Sequence, residues 1–282
     1  MTLVTSVRAY FRVRPESFAD AVRLYSAYAP SALLREAAPS RFGSVGSLVP
    51  GSRNLHVRID GIKFEVRPGT NDLDLISPKH EPLTTHWFQP GAGQVVVDVG
   101  AHLGRYALRA AAIGARVVAI EPDPSNFDLL ERNVRMNGYS GVELIPQAMT
   151  ANPGPRMLSV APTWNTGMSS LEPGRDSATI DPAAGEVRVV GETLDNVVRM
   201  RGIHNIDWLK IDVEGHEVPV LEGAHLTLGM TSHLILEVTR DTADACTRIL
   251  DDHGFELVSI EAGFPASNWM LIKHPTQRAE AP

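Results

Sequence analysis

The run Asp207-Trp208-Leu209-Lys210-Ile211-Asp212-Val213-Glu214-Gly215-His216-Glu217 places more ionisable groups beside an apolar core segment than any other stretch of the chain. Trp208 to Asp212 reads as a buried strand, and Asp212, Glu214 and His216 follow at its carboxyl end, where an open sheet builds its chemistry. Lys210 and Asp212 are two apart and share a strand face, so the lysine is expected to pair with a carboxylate. Asp212 is the first choice for handling a proton or orienting an acceptor. Glu214 and His216 are the alternatives, a histidine being the usual general base. Against this stands a structural hydrogen-bond network at the sheet edge, with His216 packed like any other side chain. His216-Glu217 begins like a zinc-protease motif, but Val220 stands where the second histidine is required. Asp212 and Glu237, at the ends of neighbouring strands, could hold Mg²⁺ through oxygen ligands, yet two carboxylates are too few and no metal is expected.

A second group lies upstream. Asp98-Val99-Gly100-Ala101-His102-Leu103-Gly104 joins an apolar strand directly to a helix, with glycines that let backbone approach a ligand. Glu121 ends the next strand about twenty residues on, where a carboxylate can accept hydrogen bonds from a ribose. The pair implies a nucleoside-containing cofactor. His102 and Arg105 replace the second and third glycines of the dinucleotide fingerprint, which disfavours a nicotinamide cofactor, and no phosphate-binding G-x-x-x-x-G-K-[ST] loop is present. Structural alternatives are that Asp98 caps the following turn and that Glu121 caps the helix beginning near Pro124.

Alternating elements must position these groups. Strands are predicted at Val95 to Val99, Arg116 to Glu121, Val142 to Ile145, Trp208 to Asp212, Leu234 to Val238 and Phe255 to Ile260, with helices through Ala107 to Ile113 and from Pro124 to Asn137. This pattern predicts a doubly wound, mostly parallel α/β sheet with helices on both faces. Upstream, Phe18, Ala21, Val22, Tyr25 and Tyr28 fall at helical spacing, Pro30 is expected to end that helix, and Asp60-Gly61 marks a β-hairpin. The predicted organisation is an N-terminal extension over 1–80 that caps the substrate or joins subunits, a cofactor domain over 81–275, and a tail over 276–282. A Pro/Gly/Ser-rich insertion over 152–185 reads as a lid. Trp164 lies in that insertion, and Trp87 and Phe88 precede the first sheet strand, from where they could close the cofactor pocket.

The chain has 282 residues, 43% of them hydrophobic, enough for a sizeable core. Its net charge of -7 argues against a nucleic-acid or membrane-surface partner and favours a small molecule. One cysteine, Cys246, excludes an intrachain disulfide and a cysteine-cluster zinc site, and fits a reducing, cytoplasmic location. No apolar run reaches the length of a membrane-spanning helix. The amphipathic N-terminal helix must cover either the sheet domain or a second subunit, so a homodimer is one expectation.

Between Glu65 and Ile272 the sequence resembles the FkbM-type methyltransferases, a branch of the class I S-adenosylmethionine-dependent enzymes. The resemblance rests on Asp98-Val99-Gly100-Ala101 with Gly104, on Glu121-Pro122, on Leu209-Lys210-Ile211-Asp212-Val213-Glu214-Gly215 with Glu217, and on Leu221-Glu222-Gly223-Ala224, in that order. His102 departs from the asparagine usual there. The resemblance implies a Rossmann-like class I sheet and S-adenosylmethionine as cofactor. Asp98 and Gly100 would line its methionine end with His102 and Gly104 beside them, Glu121 with Pro122 would hold the ribose, and Gln147 and Ala148 would flank the adenine. Asn165 to Leu171 looks like the family's serine-rich segment, which puts Trp164, Ser169 and Ser170 near the substrate. It also implies methylation of a hydroxyl on a sugar or secondary metabolite. N-methylation of an amine or peptide and a non-catalytic cofactor-binding module are the alternatives.

Overall fold

The computed structural model describes residues 12–37, 45–172, 185–263 and 265–273, with residues 28–37 described at the backbone. The predicted tail over 276–282, Met1 to Phe11 and the stretch 173–184 of the predicted lid lie outside the described residues.

The N-terminal part contributes β1 (Arg14–Pro15), α1 (Phe18–Ala37), β2 (Leu55–Ile59), β3 (Ile62–Val66), α2 (Asp72–Leu75) and α3 (Pro82–Trp87). β2 and β3 pair antiparallel around Asp60 and Gly61, both at positive φ (50° and 88°), the left-handed pair that a tight hairpin turn requires. One expectation for α1 is corrected. The helix runs through Pro30 to Ala37, since a proline removes one backbone donor and need not end a long helix. Within the chain, Leu24 and Ala27 are buried with Asp20, while Phe18 is 86% exposed and Val22 and Tyr25 face outward, so the stripe from Phe18 to Tyr25 does not cover the sheet domain. The physical reason is a polar anchor. Ser17 Oγ donates to Asp20 Oδ2 at 2.7 Å, and the Arg53 guanidinium reaches Asp20 Oδ1 at 3.2 Å, fixing the helix by its carboxylate.

The main body follows as β4 (Val95–Val99), α4 (Arg105–Ala112), β5 (Arg116–Ile120), α5 (Pro124–Asn137) and β6 (Val142–Ile145). After it come β7 (Ala148–Met149), β8 (Gly154–Ser159), β9 (Glu186–Glu192), α6 (Leu194–Met200) and β10 (Ile206–Ile211). The chain closes with α7 (Glu217–Glu222), α8 (His225–Gly229), β11 (Thr231–Thr239), α9 (Ala243–Asp252), β12 (Phe255–Glu261) and β13 (Ala266–Lys273). Seven strands form one sheet in the order β12-β13-β11-β10-β4-β5-β6. All neighbours from β11 to β6 run parallel, and β13 inserts antiparallel between β11 and β12. This is the doubly wound α/β architecture, with one strand, β13, that the hydropathy pattern did not single out. The predicted insertion is partly regular: β8 pairs with β9, and β9 with β7, in a separate three-stranded sheet.

Both faces of the large sheet are covered. α6, α7, α8 and α9 bury Leu194, Val220, Leu228 and Leu250 against Val97, Val99, Leu209 and Leu236. On the other face, Val96, Trp208 and Ile235 share one cluster with Leu108 of α4, Leu130 of α5, and Leu24, Leu55 and Phe64 of the N-terminal part. Successive strand residues thus alternate between the two cores, as expected of strands buried on both sides. Asn133 and Asn137 of α5 reinforce the packing by bonding the β3 backbone, with Asn133 Oδ1 accepting from Glu65 N at 2.6 Å. Among the described residues, no helix is long and apolar enough to cross a membrane.

Candidate active site

Parallel strands end together, so side chains at their carboxyl termini collect in one crevice. Asp98 of β4, Glu121 after β5, Lys210 and Asp212 at the end of β10, Glu237 of β11 and Asn268 of β13 all line one cavity of about 1070 Å³. The register places Lys210 beside Asp98 and Asn268 opposite Glu237, which makes them a polar row across adjacent strands.

At one end, Glu121 Oε2 accepts from His102 N at 2.8 Å and Oε1 from Asp123 N at 2.9 Å. Burial pushes its carboxyl up to about 8. Capping of α5 falls instead to Asp123, whose Oδ1 accepts from Ser125 N at 2.8 Å. Asp98, 1% exposed, does bond a helix: Oδ2 accepts from Ala107 N at 3.0 Å. Its Oδ1 is buried and has no partner, and burial pushes this carboxyl up to about 6. The glycines answer to the protein's own packing. A Cβ on Gly100 would lie 1.7 Å from the Asp212 carbonyl oxygen, and one on Gly104 would lie 2.8 Å from Leu130 Cδ1. Pro122, Gln147 and Ala148 continue the wall beyond Glu121.

His102 faces a different partner from the one its place in the glycine turn implied. Its Nε2 lies 3.0 Å from Thr166 Oγ1, and that hydroxyl donates to Asp72 Oδ1 at 2.7 Å. Burial pushes the imidazole down to about 4, so it is neutral at physiological pH, with Nε2 the donor to the threonine. Asp72 receives both Nε and Nη2 of Arg67 at 2.8 Å, and Arg67 Nη2 also donates to Asn126 Oδ1 at 2.9 Å. Through these residues the N-terminal part ties the 163–171 segment to the glycine turn. Ser169 Oγ donates to Asp123 Oδ2 at 2.7 Å. Ser170 is corrected: it is absent from the cavity wall, and its hydroxyl donates to the Glu214 carbonyl at 2.7 Å, fastening the insertion to the acidic loop. Trp164 and Ser169 do line the cavity. Trp87 and Phe88 do not; they stack edge-on against Trp208, at 5.1 and 5.4 Å between ring centres, and belong to the core.

In the middle of the row, Lys210 Nζ donates to Asp212 Oδ2 at 2.8 Å and lies 4.9 Å from the centre of the Tyr106 ring. Burial opposes its charge, but Asp212, Glu81 and Asp98 hold it well above the ordinary lysine value. Glu81 was not recognised as a site residue from the sequence. It sits at φ 44°, accepts from the Tyr106 hydroxyl at 2.6 Å and from Asn268 Nδ2 at 2.9 Å. Burial opposes its ionisation, yet His80, Lys210 and Arg105 outweigh it and bring the carboxyl down to about 2. Arg105, the residue that breaks the dinucleotide fingerprint, donates to the carbonyls of Leu75 and His80 and to Thr85 Oγ1, and so fixes the segment carrying Glu81.

At the far end, Asp212, Glu214 and Glu237 bring carboxylate oxygens within 4.8 Å of one another. Lys210 Nζ already donates to one oxygen of Asp212, and burial with the charges of Asp212 and Glu214 beside it raises the Glu237 carboxyl above its ordinary value. His216 lines the same space. Its Nδ1 lies 2.6 Å from Glu172 Oε1, and its Nε2 is buried without a partner. Glu172, on the insertion, has no motif of its own and is invisible in the sequence.

A cavity at the strand ends, with an unsatisfied Asp98 oxygen inside it and Glu121 at one side, has the donor set and volume for a nucleoside cofactor plus a second small molecule. Residues 98–257, more than half of the chain, match the methyltransferase FkbM domain. The chain belongs to the FkbM methyltransferase family. It is an S-adenosylmethionine-dependent methyltransferase. It is similar to methyltransferase sdnD of Sordaria araneosa, 27% identical over 208 residues, covering 63% of this chain and 79% of that protein. It is also similar to the hexuronic acid methyltransferase AglP of Haloferax volcanii, 29% identical over 146 residues, with 51% of this chain and 55% of that protein covered. A solved rRNA methylase from Streptococcus thermophilus superposes with a TM-score of 0.45 at 16% identity, over 69% of this chain and 97% of that one.

Proposed function

We propose that this methyltransferase transfers its methyl group to a hydroxyl of a small molecule such as a sugar or a secondary metabolite. The observation that carries the reading is the polar row, which runs in one cavity from the Glu121 carboxyl to Asp212, Glu214 and His216. AglP, whose name describes a sugar-acid methyltransferase, lends support to the acceptor class.

When bound, S-adenosylmethionine supplies an already activated methyl, so alignment is the larger part of the task left to the protein. Glu121 and Asp98 hold the ribose and methionine ends. Pro122, Gln147 and Ala148 border the adenine, and His102 with Gly104 shapes the turn between the two. Asp212 faces the acceptor hydroxyl and takes its proton, with Lys210 fixing the carboxylate by the bond to Oδ2. His216, oriented by Glu172, is the second group able to take that proton, and Glu214 shapes the loop between them. Trp164 and Ser169 border the acceptor.

Titration calorimetry with S-adenosylhomocysteine tests the cofactor half, and a folded sample that does not bind it defeats the proposal. Asp212→Asn then tests the chemistry: turnover falls by about 100-fold or more with cofactor affinity retained. Equal turnover at saturating acceptor removes Asp212 from the mechanism. A product carrying the new methyl on nitrogen, located by NMR, replaces hydroxyl with amine.

A further inference from the structure

Two histidines meet at the end of the sheet opposite the crevice. His225 opens α8, just before β11, and His253 follows α9, just before β12. At about 3.3 Å per residue, the run of β11 from Thr231 to Glu237 sets the pair about 20 Å from the acidic cluster. His225 Nδ1 lies 3.2 Å from His253 Nε2, although 28 residues separate the two in the chain. His253 Nδ1 lies 2.8 Å from the Ile249 carbonyl oxygen. A carbonyl only accepts, so Nδ1 carries the proton, and in the neutral ring Nε2 turns its lone pair toward His225. Metal-ligating imidazoles are oriented in the same way, by a backbone carbonyl or carboxylate on the other ring nitrogen. The backbone under His225 is also held. Asp195 Oδ2 accepts from Leu226 N at 3.0 Å and Oδ1 from Thr227 N at 2.8 Å, while Lys273 Nζ donates to the Leu228 carbonyl at 3.2 Å.

As a hydrogen bond the contact is long, at the upper limit of about 3.2 Å. It is close to the spacing of two ligands on one ion: with Zn–N bonds of about 2.0–2.1 Å, tetrahedral geometry separates the nitrogens by about 3.3–3.4 Å. The ring centres are 5.1 Å apart, farther than the nitrogens, and the ring planes incline by only 26°. Both nitrogens therefore project into the space between the rings. His225 is exposed and His253 half-buried, so water can fill the remaining coordination positions. Imidazole suits Zn²⁺, Cu²⁺ and Ni²⁺, whereas Mg²⁺ and Ca²⁺ take oxygen ligands. We infer that His225 and His253 form a bidentate site for a divalent transition metal such as Zn²⁺, separate from the methyltransferase crevice. The bound ion clips α8 to the turn after α9 and braces the amino ends of β11 and β12.

The test titrates Zn²⁺ into the full, untagged chain by calorimetry at pH 8, since imidazole binds metal in its neutral form. The expected result is saturable binding that excess Mg²⁺ does not displace. His225→Gln and His253→Gln should each weaken it by about tenfold or more, the smallest loss that even an outer partner of a metal site shows. His204→Gln, which removes an exposed histidine elsewhere, should leave it unchanged. With Cu²⁺ as the probe, electron paramagnetic resonance should show splitting from two nitrogens, reduced to one in either variant. Saturating Zn²⁺ should raise the melting temperature of the parent by roughly 2–4 °C or more and that of His253→Gln by less. Absence of saturable Zn²⁺ binding, indifference to both pair variants, displacement by Mg²⁺, or a copper spectrum without two nitrogens overturns the site. S-adenosylhomocysteine should bind equally with and without Zn²⁺; a changed affinity would place the ion in the crevice and overturn it too.

Discussion

The two ends of the crevice are built differently. At the cofactor end, both oxygens of Glu121 and one of Asp98 are held by backbone N–H groups of the turns and helices that immediately follow their strands. At the acceptor end, His216 Nε2, Glu237 Oε2 and Asn268 Oδ1 are buried without partners, and the groups that orient them come from distant segments. Both ends keep an open valence, since Asp98 Oδ1 is also buried without a partner. The first end is held by local chain geometry, whereas the second depends on long-range packing to hold its groups, and rigid local support keeps a group in place through every turnover.

Lys210 stands between the two ends and its removal should damage both. Lys210→Ala leaves Asp212 and Glu81 facing each other without their buried cation, and a loss of about 3–5 kcal/mol in urea unfolding is expected. A smaller loss would mean that the row is balanced without it. Glu121→Gln acts on the cofactor end alone and should have two opposite effects. Binding of S-adenosylhomocysteine, measured at pH 9 where the parent carboxyl is ionised, weakens by about 1–3 kcal/mol. Stability moves the other way: because the folded-state carboxyl is raised from 4.5 to about 8, its contribution is complete below its ordinary value and lost as pH rises through 8. A glutamine cannot ionise, so by calorimetry the ligand-free variant should melt higher than the parent at pH 9, by roughly 2–4 °C or more, and no higher at pH 5.

Glu172→Gln sharpens the acceptor side. With the His216 contact weakened, turnover at saturating acceptor should fall about tenfold and the pH profile should shift, with cofactor affinity unchanged. An unaltered profile would leave His216 a packing residue. The smallest effect belongs to Phe18→Ser on the outer face of α1, where stability should stay within about 0.5 kcal/mol of the parent. A larger change, with altered sedimentation, would show that this face is covered by a second copy.

How much of this was legible in the sequence follows the same division. Asp98, Gly100, Glu121, Lys210 and Asp212 could be read because each sits at the end of an apolar strand, next to its own turn, so chemistry and position are contiguous in the chain. Glu81, Glu172 and Asn268 could not, because their roles arise only when β13, the insertion and the segment before α3 meet across the crevice. Asn268 was further hidden by its strand, where Ser267, Asn268 and Trp269 mask the alternation that marks a sheet. The side of α1 that faces the chain's own core was hidden for a related reason: apolar periodicity pointed to Phe18 and Tyr25, while Leu24 and Ala27 turn inward beside Asp20, whose carboxylate is paired with Ser17 and Arg53. Local pattern carried the sheet, and tertiary pairing carried what local pattern missed.

The absent side chain of Gly100 has a mechanical consequence. With 1.7 Å between a hypothetical Cβ and the Asp212 carbonyl, the cofactor turn and the end of β10 touch as bare backbones, so their separation has no slack. Gly100 is therefore a gauge: it sets how far the carboxylate of Asp212 stands from whatever rests on the turn. Even one added methyl would have to drive the two strands apart, and for the reaction proposed above a misplacement on the order of 1 Å is enough to cost about 100-fold in rate.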